Sequence, residues 1–204
     1  MNSCARARNS TWDIEGLAFT ALFDSCVLYP APIRDLLLRL ALTDSFRGRW
    51  TQDIHEEWIG AVLRTRPDLT RVQLDRTRAL MDAHVRDALI TDYSGLIPGL
   101  SLPDPDDRHV LAAAIRGRVD VIVTYNLKDF PAAALDPYGI EAQHPDTFLA
   151  HLVDLVPGVV VNTVRTLRTA LKNPPVDVTT YLQTLERLEL LEFVAKIRAY
   201  EGVL

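Results

Sequence analysis

Residues 104–130 read Asp-Pro-Asp-Asp-Arg-His-Val-Leu-Ala-Ala-Ala-Ile-Arg-Gly-Arg-Val-Asp-Val-Ile-Val-Thr-Tyr-Asn-Leu-Lys-Asp-Phe. The order is acidic loop, short helix, buried strand, second polar loop. Val110, Ala113, Ala114 and Arg118 recur at the three- and four-residue spacings of a helical face. Asp104, Asp106 and Asp107 precede it, where carboxylates meet the positive end of the helix dipole, and Gly117 is placed to end it. Val121-Ile122-Val123 is a continuous β-branched run, as a strand buried on both faces of a parallel sheet requires. Thr124, Asn126 and Asp129 follow directly. Ligands of open α/β sheets bind beyond the carboxyl ends of the strands, so Asp107 and Asp129 are predicted to meet there.

Upstream, Leu17 to Phe23 reads as another buried strand, stopping at Asp24. The two prolines in Asp24-Ser-Cys-Val-Leu-Tyr-Pro-Ala-Pro predict a turn, and a helix is expected from about Ile33, with Ile33, Leu36, Leu37, Leu40 and Ala41 as its apolar stripe. After Trp50 and Thr51, Ile54, Trp58, Val62 and Ala61 form one face of a further helix. Glu57 flanks that face and Glu56 lies more outward. A second helix is expected from Thr70 to Ala88. The arginines between Arg34 and Arg78 predict a solvated helical surface that doubles as the best phosphate-contact patch. Downstream, Gly139-Ile-Glu-Ala reads as a last short strand. Helices follow from Pro145, over Gly158 to Leu171, and as a pair from Val178 to Tyr200 broken near Glu189.

The pattern predicts an α/β fold, three layers around a mostly parallel central sheet, with an all-helical C-terminal tail. Residues 1–17 are expected to be a loose extension, 18–145 the α/β domain and 146–204 the helical extension. At 204 residues, 48% hydrophobic and 24% charged, the chain suits one globular domain with an appendage. A net charge of -5 excludes a globally basic nucleic-acid binder. Cys4 and Cys26 supply no disulfide or zinc framework, and His55, His84, His109, His144 and His151 are scattered. His109 reads as an ordinary helix residue and Cys26 as core packing. Asp13 and Glu15 interrupt any signal peptide begun by Arg6 and Arg8, and no apolar stretch is long enough for a membrane span. A soluble, cytoplasmic protein is expected.

Asp24, Glu57, Asp107 and Asp129 all arise at strand ends or helix starts on one edge of the sheet. Crowded carboxylates need a counter-charge, and oxygen donors select Mg2+ or Mn2+. Such an ion supports phosphodiester hydrolysis. Phosphate-cradling glycine loops are absent, and a dehalogenase-type phosphatase would need an acid where Cys26 stands.

The stretches Ala21-Leu-Phe-Asp-Ser-Cys-Val-Leu-Tyr-Pro, Ile54-His-Glu-Glu-Trp, Asp104-Pro-Asp-Asp-Arg-His-Val-Leu-Ala-Ala-Ala and Val123-Thr-Tyr-Asn-Leu-Lys-Asp-Phe-Pro resemble, in that order, the PIN-domain ribonucleases. The resemblance is closest to VapC-type toxins of bacterial toxin–antitoxin pairs, and the tail resembles the C-terminal extension of one subgroup. It implies a Mg2+- or Mn2+-dependent endoribonuclease acting on RNA loops or single strands. Asp24, Glu57 and Asp107 match the family's acids. Many members carry Asp where this chain has Asn126, so Asp129 is taken as the fourth acid, with Asn126, Thr124, Asp104 and Ser25 in support. The resemblance also implies a cognate antitoxin and a homodimer; the apolar faces at 33–41 and 58–63 are candidate walls of an antitoxin groove, and core packing explains them equally well. The competing expectation is a catalytically impaired PIN-like scaffold that binds RNA or protein.

Overall fold

A computed structural model describes residues 19–204. The extension expected over residues 1–17, and Leu17 and Ala18 of the expected first strand, lie outside the described residues. Strand β1 (Thr20–Phe23) leads into α1 (Ser25–Leu28) and α2 (Ala31–Ala41), then β2 (Arg47–Arg49), α3 (Gln52–Thr65), α4 (Arg71–His84) and α5 (Arg108–Arg116). Strand β3 (Val121–Val123), α6 (Ala132–Leu135) and β4 (Glu141–Gln143) complete the sheet, and α7 (Pro145–Leu155), α8 (Pro157–Ala170), α9 (Val178–Glu186) and α10 (Leu191–Arg198) follow.

The strands stand in the order β2-β1-β3-β4, and each pairing is parallel. Every residue of β1 and β3 is buried, so helices cover both faces and the fold is three-layered. On one face Phe23 joins Phe19, Phe46 and Phe148 of α7 in an aromatic cluster with ring centroids 5.2–6.1 Å apart. Rings at that spacing gain from their quadrupoles beyond the area they bury. From β1 the chain moves to β2 on one side, and β3 lies on the other. The sheet therefore reverses direction between β1 and β3, which opens a crevice at their carboxyl ends.

Several expectations need correction. Residues 47–49, Arg-Gly-Arg, carry no apolar signal, yet they form an edge strand paired with Thr20–Leu22. Gly48 suits the strand there, because a β-carbon would come within 3.1 Å of the Phe23 ring, which would have to give way. The expected turn after Asp24 holds a helical turn, α1, capped by Asp24 itself. Pro30 then caps α2, which starts at Ala31 rather than Ile33. Helix α4 stops at His84, short of Ala88, because the chain straightens at Val85 so that Leu89 can bridge to Trp50. The last strand starts at Glu141, since Gly139 is left-handed with φ 71°. Ile33, Leu36, Leu37, Leu40, Trp58 and Ile59 are wholly buried in the protein's own core, so those two faces cannot wall a groove for a partner.

The four helices after β4 bury Tyr181, Leu182, Leu185, Phe193, Val194 and Ile197. Asp146, in the first turn of α7, accepts from the backbone amides of Glu192 (2.9 Å) and Phe193 (2.8 Å), which pins the start of α10. Glu189, at φ 62°, makes the expected break between α9 and α10. Among the described residues no single helix is long and apolar enough to cross a membrane.

Candidate active site

Asp24 ends β1 and caps α1. Its Oδ1 accepts from the Ser25 amide at 2.6 Å, and its Oδ2 accepts from the Thr124 hydroxyl at 2.7 Å and the Cys26 thiol at 3.1 Å. The carboxylate is 4% exposed and faces the end of β3, where its own amide donates to the Val123 carbonyl at 3.1 Å. Cys26 is thus a partner of Asp24 rather than plain core packing. Burial, with the Asp24 charge beside it, pushes its thiol up to about 12, so it stays protonated and can donate.

Asp107 closes the short turn Pro105–Asp107 at the head of α5. Burial and then the charges of Asp24, Asp104 and Asp129 push its carboxyl up to about 6, against the pull of His109. Asp24, Asp104 and Asp129, from three parts of the chain, therefore each lie within electrostatic reach of Asp107. None of them pairs with a Lys or Arg among the described residues. Asp129 lies in the Leu127–Asp129 turn after β3, whose head, Asn126, is exposed and donates through its amide to Thr124 Oγ1 at 3.0 Å.

Glu57 sits one turn into α3 and takes part through His109. His109 Nε2 lies 2.9 Å from Glu57 Oε1, with side-chain exposures of 13% and 43%. Burial opposes the imidazolium, but the Glu57 hydrogen bond and the charges of Glu57, Asp53 and Asp24 outweigh it, so the ring's pKa lies above the ordinary histidine value. His109 Nδ1 is buried with no hydrogen-bond partner. His109 is therefore no ordinary helix residue, and it is what the sequence reasoning missed. The only available signal was its place two residues after Asp107 in the first turn of the helix. Glu56, expected to point further out, is as exposed as Glu57 and is held by Arg71 (2.8 Å) and Arg78 (3.4 Å). Arg66, Arg71 and Arg78 of the expected phosphate patch are taken up by acids in the same way.

The chemistry of this donor set fits a hard divalent cation: carboxylate oxygens without a cationic partner, one of them, Asp107, raised by burial and then by its acidic neighbours. As they lie, no three His, Cys, Asp or Glu side chains among the described residues are close enough to share one ion.

The PIN-domain family profile matches residues 20–128, the stretch that holds β1 to β3 with Asp24, Glu57, Asp104 and Asp107 and ends one residue before Asp129. The chain belongs to the PIN-domain family. Beyond the PIN domain, the profile of the VapC50 C-terminal domain matches residues 145–199, which covers α7 to α10. Over 92 residues the chain is 45% identical to "Putative ribonuclease VapC50" of Mycobacterium tuberculosis (strain ATCC 25618 / H37Rv), an alignment covering 45% of this chain and 54% of that protein. The chain thus spans about half the length of that relative. No solved structure matches this PIN protein.

Proposed function

We propose that this PIN protein is a divalent-cation-dependent endoribonuclease, the toxin of a toxin–antitoxin pair. The observation that carries the reading is the gathering of Asp24, Asp104, Asp107 and Asp129 at one sheet edge without a cationic side chain to neutralise them. The name of its relative supports RNA as the substrate and an antitoxin as the partner. A homodimer is proposed on family resemblance alone.

Asp24, Glu57, Asp107 and Asp129 would hold Mg2+ or Mn2+, with Asn126, Thr124, Asp104 and Ser25 in support. When bound, the ion stabilises the charge that develops on the phosphodiester and raises the acidity of a water nucleophile. The chain's own residues prepare the site. The Thr124 hydroxyl, the Ser25 amide and the Cys26 thiol orient Asp24, and His109 orients Glu57. Such supporting bonds fix the direction of a ligand's lone pairs before the ion arrives.

The test is cleavage of a total tRNA and rRNA pool with Mg2+ or Mn2+, beside EDTA and the Asp107→Asn protein. Discrete fragments that need both metal and Asp107 support the nuclease. A second reading, an RNA- or protein-binding scaffold with an impaired metal site, draws on Asn126 and on the spread of the acids. No cleavage together with no Mn2+ binding by calorimetry at millimolar metal selects it.

A further inference from the structure

Tyr125 lies between Thr124, which bonds Asp24, and Asn126, which leads to Asp129. Its hydroxyl donates a 2.7 Å hydrogen bond to the carbonyl of Leu188, in the turn between α9 and α10. Its amide donates to Cys26 Sγ at 3.4 Å, and its ring stands edge-on to His144 with centroids 4.8 Å apart. His144 Nε2 in turn lies 3.8 Å from Glu189 Oε2, in the same turn. The turn between α9 and α10 therefore touches the loop that carries Thr124, Asn126 and Asp129.

Apart from Tyr125, the loop is held at its start, by the Thr124 bonds to Asp24 and to the Gln143 carbonyl. Thr124 and Phe130 are buried at its ends, but Asn126, Leu127 and Lys128 are exposed. Its internal bonds are local ones, from the Asn126 amide to Thr124 Oγ1, from the Asp129 amide to the Asn126 carbonyl and from the Phe130 amide to that of Leu127. By contrast the α9–α10 turn is well fixed. Asp146 holds the first amides of α10, and Lys196 pairs with Asp154 one helix away. A rigid anchor meets a lightly held loop at one hydroxyl.

We propose that Tyr125 is a positioning residue and that the α9–α10 turn anchors the 124–129 loop, keeping Asn126 and Asp129 in register with Asp24. The catalytic consequence rests on the ribonuclease reading; the consequence for cation binding does not. The extension then belongs to the working of the site, although none of its residues is proposed to touch the reacting atoms. Removing the hydroxyl leaves the fold and the RNA surface in place but lets the Asp129 end of the loop drift. Catalysis and cation affinity fall, while KM holds.

The experiment compares the full-length wild-type protein with Tyr125→Phe. The expected result is a kcat lowered about tenfold with KM within about twofold, since small displacements of a reacting constellation cost rate before affinity. The Mn2+ dissociation constant, measured by calorimetry without RNA, is expected to rise about tenfold, as when a metal ligand loses its support. Asp146→Asn loosens the same turn from a distance and should reproduce a smaller loss of both. It also decides the matter if Tyr125→Phe fails to fold. Unchanged kcat and unchanged Mn2+ affinity in the folded variants overturn the proposal, as does a rise in KM alone. If the wild-type protein binds Mn2+ but cleaves no RNA, the ribonuclease reading fails and the ratio of Mn2+ affinities still decides this one. A wild-type protein that does neither overturns both.

Discussion

The Thr124 hydroxyl donates to Asp24 Oδ2 at 2.7 Å, joining the residues that follow β3 and β1 across the point where the sheet reverses. With the Ser25 amide and the Cys26 thiol it gives one carboxylate three donors, none of them cationic. Asp24 is thus oriented without being neutralised, which suits a group that must meet a cation. Asp24→Asn keeps the shape but removes the charge. Its metal-dependent cleavage should fall by about a hundredfold or more, on the scale of losing one preorganised electrostatic group. EDTA added to the wild-type protein should match that loss in the same gel assay.

Asp107→Asn should lose cleavage likewise, but its stability should move the other way. The Asp107 charge is disfavoured by burial and then by Asp24, Asp104 and Asp129, so a neutral amide relieves repulsion in the metal-free protein. Differential scanning fluorimetry in EDTA should show a Tm equal to or above wild type. Added Mn2+ should raise the wild-type Tm more than that of the variant.

His109→Gln removes the ring that bonds Glu57 at 2.9 Å. Supporting residues of this kind are worth about tenfold or more in metal affinity. Calorimetry should show Mn2+ binding weakened by that order with the far-UV circular dichroism unchanged.

On another face of α3, Trp58 Nε1 donates to His55 Nδ1 at 2.9 Å, His55 Nε2 meets Asp82 Oδ1 at 3.1 Å, and Trp50 Nε1 donates to the same oxygen at 2.7 Å. Since Nδ1 accepts, the wholly buried ring is neutral and donates through Nε2 to Asp82. His55→Phe fills the space but leaves the Trp58 indole unpaired, at a cost of about 1–3 kcal/mol. Urea denaturation followed by tryptophan fluorescence should show the shift without loss of metal binding.

Asp177 caps α9. Its Oδ1 accepts from the Thr180 amide at 2.8 Å and its Oδ2 from the Thr180 hydroxyl at 2.9 Å, and these bonds hold its carboxyl below the usual carboxylate range. A depressed acid adds stability that is present above its unfolded pKa, about 3.9, and lost as pH falls through the lower folded value. Asp177→Asn keeps a capping oxygen without the charge. The variant should therefore melt slightly below wild type at pH 7, and the gap should close as pH falls through the depressed folded value.

What the sequence revealed depended on how much of the physics was local. β3 and the acidic head of α5 were legible because burial on both faces writes an unbroken β-branched run, and a helix start favours carboxylates. β2 was not legible: Arg47 and Arg49 have side chains that reach solvent, and the residue between them is a glycine. Its pairing with β1 is an event of the backbone. Asp24 and Asp107 could be singled out from their places at element ends, whereas the tie between Glu57 and His109 depends on how α3 lies against α5. The ring of Tyr125, pinned by a backbone carbonyl from the far end of the chain, leaves no pattern at all. The apolar stripe of α2 read equally as core or as docking face, since periodicity tells that a face is covered and not what covers it; the structure shows it to be core.

Phe148 belongs to the first helix after the last strand, yet its ring stands against Phe46 at 5.2 Å and against Phe23 at 6.1 Å on the sheet. Rings of that size each hide about 150–250 Å2 from water. A gene cut short after Gln143 would encode a sheet with those rings laid open to its neighbours in the cell. Grafting the tail onto a different PIN core would need a matching aromatic socket beneath α7. Through this one phenylalanine the stability of the sheet and that of the helical extension are one quantity, raised or lowered together.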